Sequence, residues 1–238
     1  MRQSNPRRLV AAAASCLLAF VLLLGVVACT GQTAASTGPS AEATQPLALD
    51  TAASAALAQL ATLAVKGRAP MTGYSRDEFG PAWKDVDHNG CDTRNDILQR
   101  DLSSVVFRDG SDCVVLSGTL ADPYTGKTIA FLRGEKTSNA VQIDHVVALG
   151  DAWQTGAFQW SDGKRVQFAN DPQELLAVNG PTNEAKGDGD AATWLPPNKR
   201  FRCTYIEKQV AVKATYGLWV TPAEHDAMAR ILKGCTGP

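Results

Sequence analysis

The chain has 238 residues, 24 acidic and 23 basic side chains, and a formal net charge of −1. That length allows one domain or two small ones. So balanced a charge excludes a protein that grips nucleic acid by charge alone, though not an enzyme that touches it briefly.

Arg2, Arg7 and Arg8 precede an apolar run over residues 9–28, the charged and hydrophobic parts of an export signal. "VVAC" then sets small residues directly before Cys29. It resembles a bacterial lipobox, in which the signal is cleaved ahead of the Cys and the Cys is acylated. The other reading of the run is a single membrane anchor, because about 20 apolar residues span a bilayer. Removing residues 1–28 deletes three Arg and no acid, which leaves about −4 for the rest. Residues 29–50, with "TGQTAASTGPSAEATQP", are rich in Ser, Thr, Ala, Gly and Pro and read as a flexible tether. The folded domain is expected over residues 51–238.

Residues 52–65 are Ala/Leu-rich, with Leu57, Leu60 and Leu63 as a partial apolar stripe, and predict a helix. "GRAPMTGYSRDEFGPAW" reads as loop. In "DVDHNGCDTRND", Asp85, Asp87, Asn89, Gly90 and Asp96 fall at positions 1, 3, 5, 6 and 12 of a calcium-loop pattern. That makes residues 85–96 a candidate Ca²⁺ site; the other reading is a capped, disulfide-tied turn before a helix in "TRNDILQRDL". Strands follow over residues 105–107, 112–120 and 127–132, the last two joined by "DPYTG" as an antiparallel hairpin.

Cys91, Cys113, Cys203 and Cys235 remain once Cys16 goes with the signal and Cys29 with lipid. An even number in an exported protein favours two disulfides, and without a CxxC pair a zinc ribbon is disfavoured. Of the three connectivities we expect nearest neighbours, Cys91 with Cys113 and Cys203 with Cys235.

"VQIDHVVALGDAWQTG" then places Asp144 and His145 together inside an apolar, strand-like run. Desolvating adjacent titratable groups is costly, so the pair needs a partner or a task. In an ideal pleat the two point to opposite faces, so they share a site only where the strand bends or ends. Residues 148–158 read as helix, 175–178 as a second strand, and Asn179-Gly180-Pro181 as a turn into a helix carrying Asn183 and Lys186. The pattern is a ββα unit. Asp144 and Asn183 offer two oxygen ligands, which suits a hydrated Mg²⁺ or Mn²⁺ that keeps positions free for phosphate oxygens. His145, neutral near working pH, is the candidate base. Residues 199–216 form a basic helix read as a solvated face, including Lys199, Arg200, Arg202, Lys208 and Lys213. Thr221-Pro222-Ala223-Glu224 is a capping box opening the last helix.

Residues 143–198, with "DHVVALGDAWQTGA", "FANDPQELLAVNGPTNEAKGD" and "AATWLPP", resemble the HNH endonuclease-type family once catalogued as a domain of unknown function (DUF1524) in exported actinobacterial proteins. The similarity reaches upstream to "GCDTRNDILQRDL" and "DPYTG", and downstream through "RCTYIEKQVAVKATYGLWVTPAE". The resemblance implies a metal ligand at Asp144, the general base at His145 and a second ligand at Asn183, three before Lys186–Gly187. Lys186 is a candidate phosphate contact. Glu174 falls where such motifs carry an Asn that orients the base; it could accept from the imidazole N–H, with Asn170 or Asn179 as the substitutes.

Together these readings give an α+β fold with an antiparallel hairpin sheet, flanking helices, two disulfides and a ββα-metal site. The expected function is a monomeric, metal-dependent endonuclease acting on nucleic acid, DNA first, outside the cytoplasm, secreted or anchored by lipid on Cys29. The rival from another class is a non-catalytic, calcium-stabilised envelope module on the same scaffold.

Overall fold

The computed structural model describes Asp50 to Cys235. The expected signal, tether and lipobox cysteine lie outside the described residues.

Helix α1 (Thr51–Leu60) opens where the Asp50 carboxylate accepts the Ala52 N–H, satisfying one of the free donors of a first helical turn. It ends short of the expected residue 65, because the chain leaves the helix and Val65 pairs with Val220 in an isolated bridge. The following loop holds a single 3-10 turn, Arg76–Phe79. Asp92 caps α2 (Thr93–Asp101) by accepting the Asn95 N–H.

Strands β1 (Leu102–Phe107), β2 (Val115–Ala121) and β3 (Thr128–Leu132) form an antiparallel sheet in that order. The expected hairpin is present between β2 and β3. Its turn is made by the Asp122 carboxylate, which accepts the Tyr124 and Thr125 N–H groups, and by Gly126 at φ 72°, a conformation in which a Cβ would be strained.

A second sheet holds β4 (Val141–His145) and β5 (Leu175–Asn179), antiparallel, with His145 opposite Leu175 and Val141 opposite Asn179. These two strands are not joined by a turn. The connection carries α3 (Leu149–Gln154), shorter than the helix expected there, and α4 (Asp162–Ala169), which the apolar pattern did not announce. After β5 come α5 (Gly180–Lys186), α6 (Arg202–Tyr216) and α7 (Pro222–Lys233).

The β4–β5 ribbon is buried on both faces, which is why its sequence reads as a near-continuous apolar run. Val141, Ile143, Leu175 and Ala177 pack on one side with Ile97 and Leu98 of α2 and with Val115, Leu120 and Phe131 of the larger sheet. Val178 and Leu176 pack on the other side among residues of α1, α6 and α7, including Leu60, Val210 and Met228. A third core gathers Trp153, Phe168, Val212 and Tyr216. Trp153 is buried, while Trp160 and Trp194 are half-buried against core clusters.

Both disulfides join the expected neighbours, Cys91 to Cys113 and Cys203 to Cys235. The second ties α6 to the end of α7. The capping box at Thr221 and Glu224 is also formed, each side chain meeting the other's backbone N–H.

The basic face expected on α6 needs a correction at Lys213. Its side chain is fully buried, because its ammonium lies 2.8 Å from both Asp151 and Glu224. Arg68 adds a second cation, 2.6 Å from Asp190 and 3.3 Å from Asp151. Three carboxylates thus share two cations. Burial pushes the Glu224 carboxyl up to about 7, Lys213 pulls it down, and crowding by Asp151 and Asp190 adds to the rise.

A carboxyl with a raised pKa in the fold binds a proton that the unfolded chain has released, so its contribution weakens the fold as pH rises from about 4.5 to about 7. Glu224→Gln keeps the capping box and removes that slope. Thermal melts across this window should therefore show a smaller fall in Tm with pH for the variant, and parallel curves would refute the assignment. Replacing both Cys203 and Cys235 by Ser opens a 32-residue separation and should cost about 3–4 kcal/mol in denaturant unfolding, by the loop-entropy relation.

Candidate active site

β4 ends at His145, and this ending lets neighbours on opposite strand faces open onto one space. Asp144, His145 and Asn183 line a single pocket of about 390 Å³, together with Gln142, Arg76 and Asp188.

Asp144 is 5% exposed. Its Oδ2 accepts from the Lys186 ammonium at 2.7 Å and from the Tyr124 hydroxyl in a short hydrogen bond. Among the described residues no hydrogen bond reaches Oδ1, so one oxygen is held and the other is free for the pocket. Lys186 also donates to the His145 carbonyl, and its side chain is wholly buried. The phosphate contact expected of Lys186 is therefore not made by this arrangement; the ammonium is spent on positioning Asp144 and the backbone of His145.

His145 is 8% exposed. Its Nε2 lies 2.9 Å from the Ala169 carbonyl, which only accepts, so Nε2 carries the proton and Nδ1 presents a lone pair. Burial drives the imidazole pKa down to about 3, the Ala169 bond raises it, and the cations Arg76 and Lys186 lower it further. The ring is neutral at ordinary pH. Trp83 stands almost parallel to it, at 15° with centroids 6.5 Å apart.

Glu174 does not orient the imidazole. It is fully buried, and both its oxygens accept the Val147 N–H, at 3.0 and 3.2 Å. Burial raises its carboxyl well above the usual carboxylate range. The hydrogen bond to the imidazole expected of Glu174 is made by the Ala169 carbonyl at the end of α4.

Asn183 sits on α5, whose start is fixed by the Asn179 side chain accepting the Thr182 N–H and by Pro181 in the first turn. Its Nδ2 donates to Gln142 at 3.0 Å, which turns its Oδ1 away from that bond. Among the described residues, Asp144 Oδ1, Asn183 Oδ1 and His145 Nδ1 are thus three acceptor atoms with no protein donor. Two hard oxygens with room for water fit Mg²⁺ or Mn²⁺ better than zinc.

In the candidate Ca²⁺ loop Asp85 Oδ1 is buried and has no hydrogen-bond partner among the described residues. Gly90 N–H donates to Asp85 at 3.0 Å and Asn89 donates to Asp87 at 3.1 and 3.2 Å, while Asp96 lies within α2. Among the described residues, Asp85, Asp87 and Asp96 do not bring three carboxylates within 4.8 Å; the group that does is Asp151, Asp190 and Glu224. There the cations Lys213 and Arg68 already sit.

Arg76 and Tyr124 were missed by sequence reasoning. Arg76 is exposed in the 3-10 turn, lines the pocket and makes no salt bridge among the described residues. A lone Arg in a loop leaves no sequence mark, whereas "DPYTG" marked Tyr124 only as a turn residue.

Residues 92–231 match a family described as GmrSD restriction endonucleases, C-terminal domain. A relative in Arthroderma benhamiae, described as an uncharacterized secreted protein, is 41% identical over 186 residues, spanning 77% of this chain and 86% of its own. No solved structure matches. Asp144, His145, Glu174, Asn183 and Lys186 all fall inside the family match, whereas Arg76 and Trp83 lie before it.

Lys186→Met should leave Asp144 as a buried, uncompensated charge and cost about 3–5 kcal/mol. Adding Asp144→Asn should recover much of that loss, because the pair is then gone together. Urea unfolding of both singles and the double measures the coupling; strictly additive losses would show that the two side chains do not support one another.

Proposed function

From the premise that this chain belongs to the family of GmrSD restriction endonuclease C-terminal domains, we propose that it is a metal-dependent, HNH-type endonuclease that works outside the cytoplasm. The observation that carries the reading is the convergence of Asp144, His145 and Asn183 on one pocket, each with its acceptor atom unspent. A purely structural ribbon gains nothing from that arrangement.

Asp144 Oδ1 and Asn183 Oδ1 would hold the divalent cation. When bound, it neutralises charge on the phosphate and the leaving oxygen. His145 Nδ1 takes the proton from the attacking water, while Nε2–H stays on the Ala169 carbonyl and steadies the imidazolium as it forms. An imidazole with a pKa near 3 is a poor base by itself. A phosphodiester anion lying against Arg76 offsets one of the cations that depress it, so proton affinity rises when substrate is in place. Lys186 acts at one remove, by fixing which oxygen of Asp144 is presented.

Two features support work in an oxidising compartment: the paired cysteines and the secreted relative. The substrate proposed is DNA without sequence preference, because no helix or ribbon here is set out to read a groove.

The purified protein should nick supercoiled plasmid with Mg²⁺ or Mn²⁺, and chelator should abolish it. His145→Ala should lower the rate by about 10²–10⁴, the usual worth of a general base. Equal traces in wild type and variant would sink the nuclease reading and leave the non-catalytic envelope module.

A further inference from the structure

A second pocket, of about 250 Å³, lies next to the first. Arg76, His145 and Leu149 line both, so they form the boundary between them. The rest of its lining differs in character. Phe79, Pro81, Ala82, Trp83 and Ala169 give it an apolar wall, with Asp77 also in its lining, whereas the first pocket is lined by Asp144, Asn183, Glu184 and Asp188.

Three observations bear on what it takes. The volume falls just below the roughly 300–1,000 Å³ of pockets that hold drug-sized ligands, so it suits a fragment of about one ring system. Trp83, nearly parallel to His145, has φ 61°, a backbone conformation that is a true outlier for a bulky residue and that gathers at ligand clamps. Asn170, 1% exposed, also lines the pocket; its Nδ2 donates to the Val166 carbonyl at 2.9 Å, and its buried Oδ1 has no partner among the described residues. An orphaned buried acceptor is costly unless a ligand supplies the donor.

We infer that this pocket holds an unstacked nucleobase next to the scissile phosphate, with the base against Trp83, an N–H of its edge on Asn170 Oδ1, and the phosphate on Arg76. The inference rests on the nuclease reading for the identity of the phosphate. It deepens that reading by naming the substrate: single-stranded nucleic acid, or a nucleotide that leaves its duplex. A base stacked inside a helix cannot enter, whereas a flat aromatic wall takes unpaired bases of any sequence. The geometry also couples recognition to chemistry, because Asn170 directly follows Ala169, whose carbonyl fixes the tautomer of the base His145.

The test is calorimetry with chelator present, so that no turnover occurs. The purified protein is titrated with dAMP, dCMP and deoxyribose 5-phosphate. Both nucleotides should bind at least about tenfold more tightly than the sugar phosphate, the size of one stacked base. Trp83→Leu should erase that ratio. Arg76→Gln, at an exposed position, should weaken all three ligands alike and keep the ratio. Equal affinity for nucleotides and sugar phosphate in the wild type overturns the inference whether or not Trp83→Leu folds. Plasmid nicking without base-selective binding would likewise overturn it and spare the nuclease. Base-selective binding in a protein that cuts no DNA would support the pocket and sink the nuclease.

Discussion

A lysine ammonium wholly shielded from solvent sets the terms for the whole site. Lys186 is wholly buried and meets the Asp144 carboxylate and the His145 carbonyl. A buried charge is tolerated only when its partners are complete, so α5 cannot shift along β4 without stranding it. Asn183 lies three residues earlier on the same helix, and residues at that spacing share a face. Fixing Lys186 therefore also fixes Asn183 beside Gln142 and the end of β4. The same pair decides which oxygen of Asp144 is free. With Oδ2 held by Lys186 and Tyr124, the open lone pairs are on Oδ1.

The ribbon explains why that precision survives thermal motion. Strands β4 and β5 are clamped between two cores, and the imidazole and carboxylate leave them on opposite faces. They meet only because the strand stops. The long connection between the strands then returns α4 to the ribbon's end, where Ala169 receives His145 Nε2–H. Glu174 closes the same region by holding the Val147 N–H, two residues past His145. Three cores and two buried acids thus converge on one strand terminus, and each restrains a different atom of the site.

What was legible in the sequence was local. The Thr221 capping box, the Asp122 turn, the Asn179 turn into α5 and the adjacent Asp144–His145 pair all carry their chemistry within a few residues. Disulfide partners were legible because separations are short and few connectivities exist. What failed was non-local. Glu174 was assigned to the imidazole by its place in a motif, but the acceptor in the fold is a backbone carbonyl, which no side-chain pattern can reveal. Lys213 looked like surface charge because its partners, Asp151 and Glu224, lie on other elements. Helix α4 had a readable start, with Ser161 as cap, but its polar composition hid the single stripe of Phe168 and Ala169 that it buries. In the candidate Ca²⁺ loop, Asp85 Oδ2 and the Asp87 carboxylate accept backbone and amide N–H groups of the loop itself, while Asp85 Oδ1 has no hydrogen-bond partner among the described residues, a division of lone pairs that spacing alone does not reveal.

The molecule uses one device twice, and the difference between the two uses separates site from scaffold. Asp151, Asp190 and Glu224 form the tightest acidic group among the described residues, yet Lys213 and Arg68 already sit among them. A cation entering there would have to displace a desolvated ammonium whose charge nothing else would compensate. At Asp144 the ammonium occupies only one side of the carboxylate, and the other side faces a pocket that also contains an amide oxygen and a neutral imidazole. Both lysines stabilise buried acids, but only the acid held by Lys186 also lines this pocket. The open side of Asp144, placed beside a neutral imidazole and an Arg76 that makes no salt bridge among the described residues, is what the proposed phosphodiester with its cation would meet.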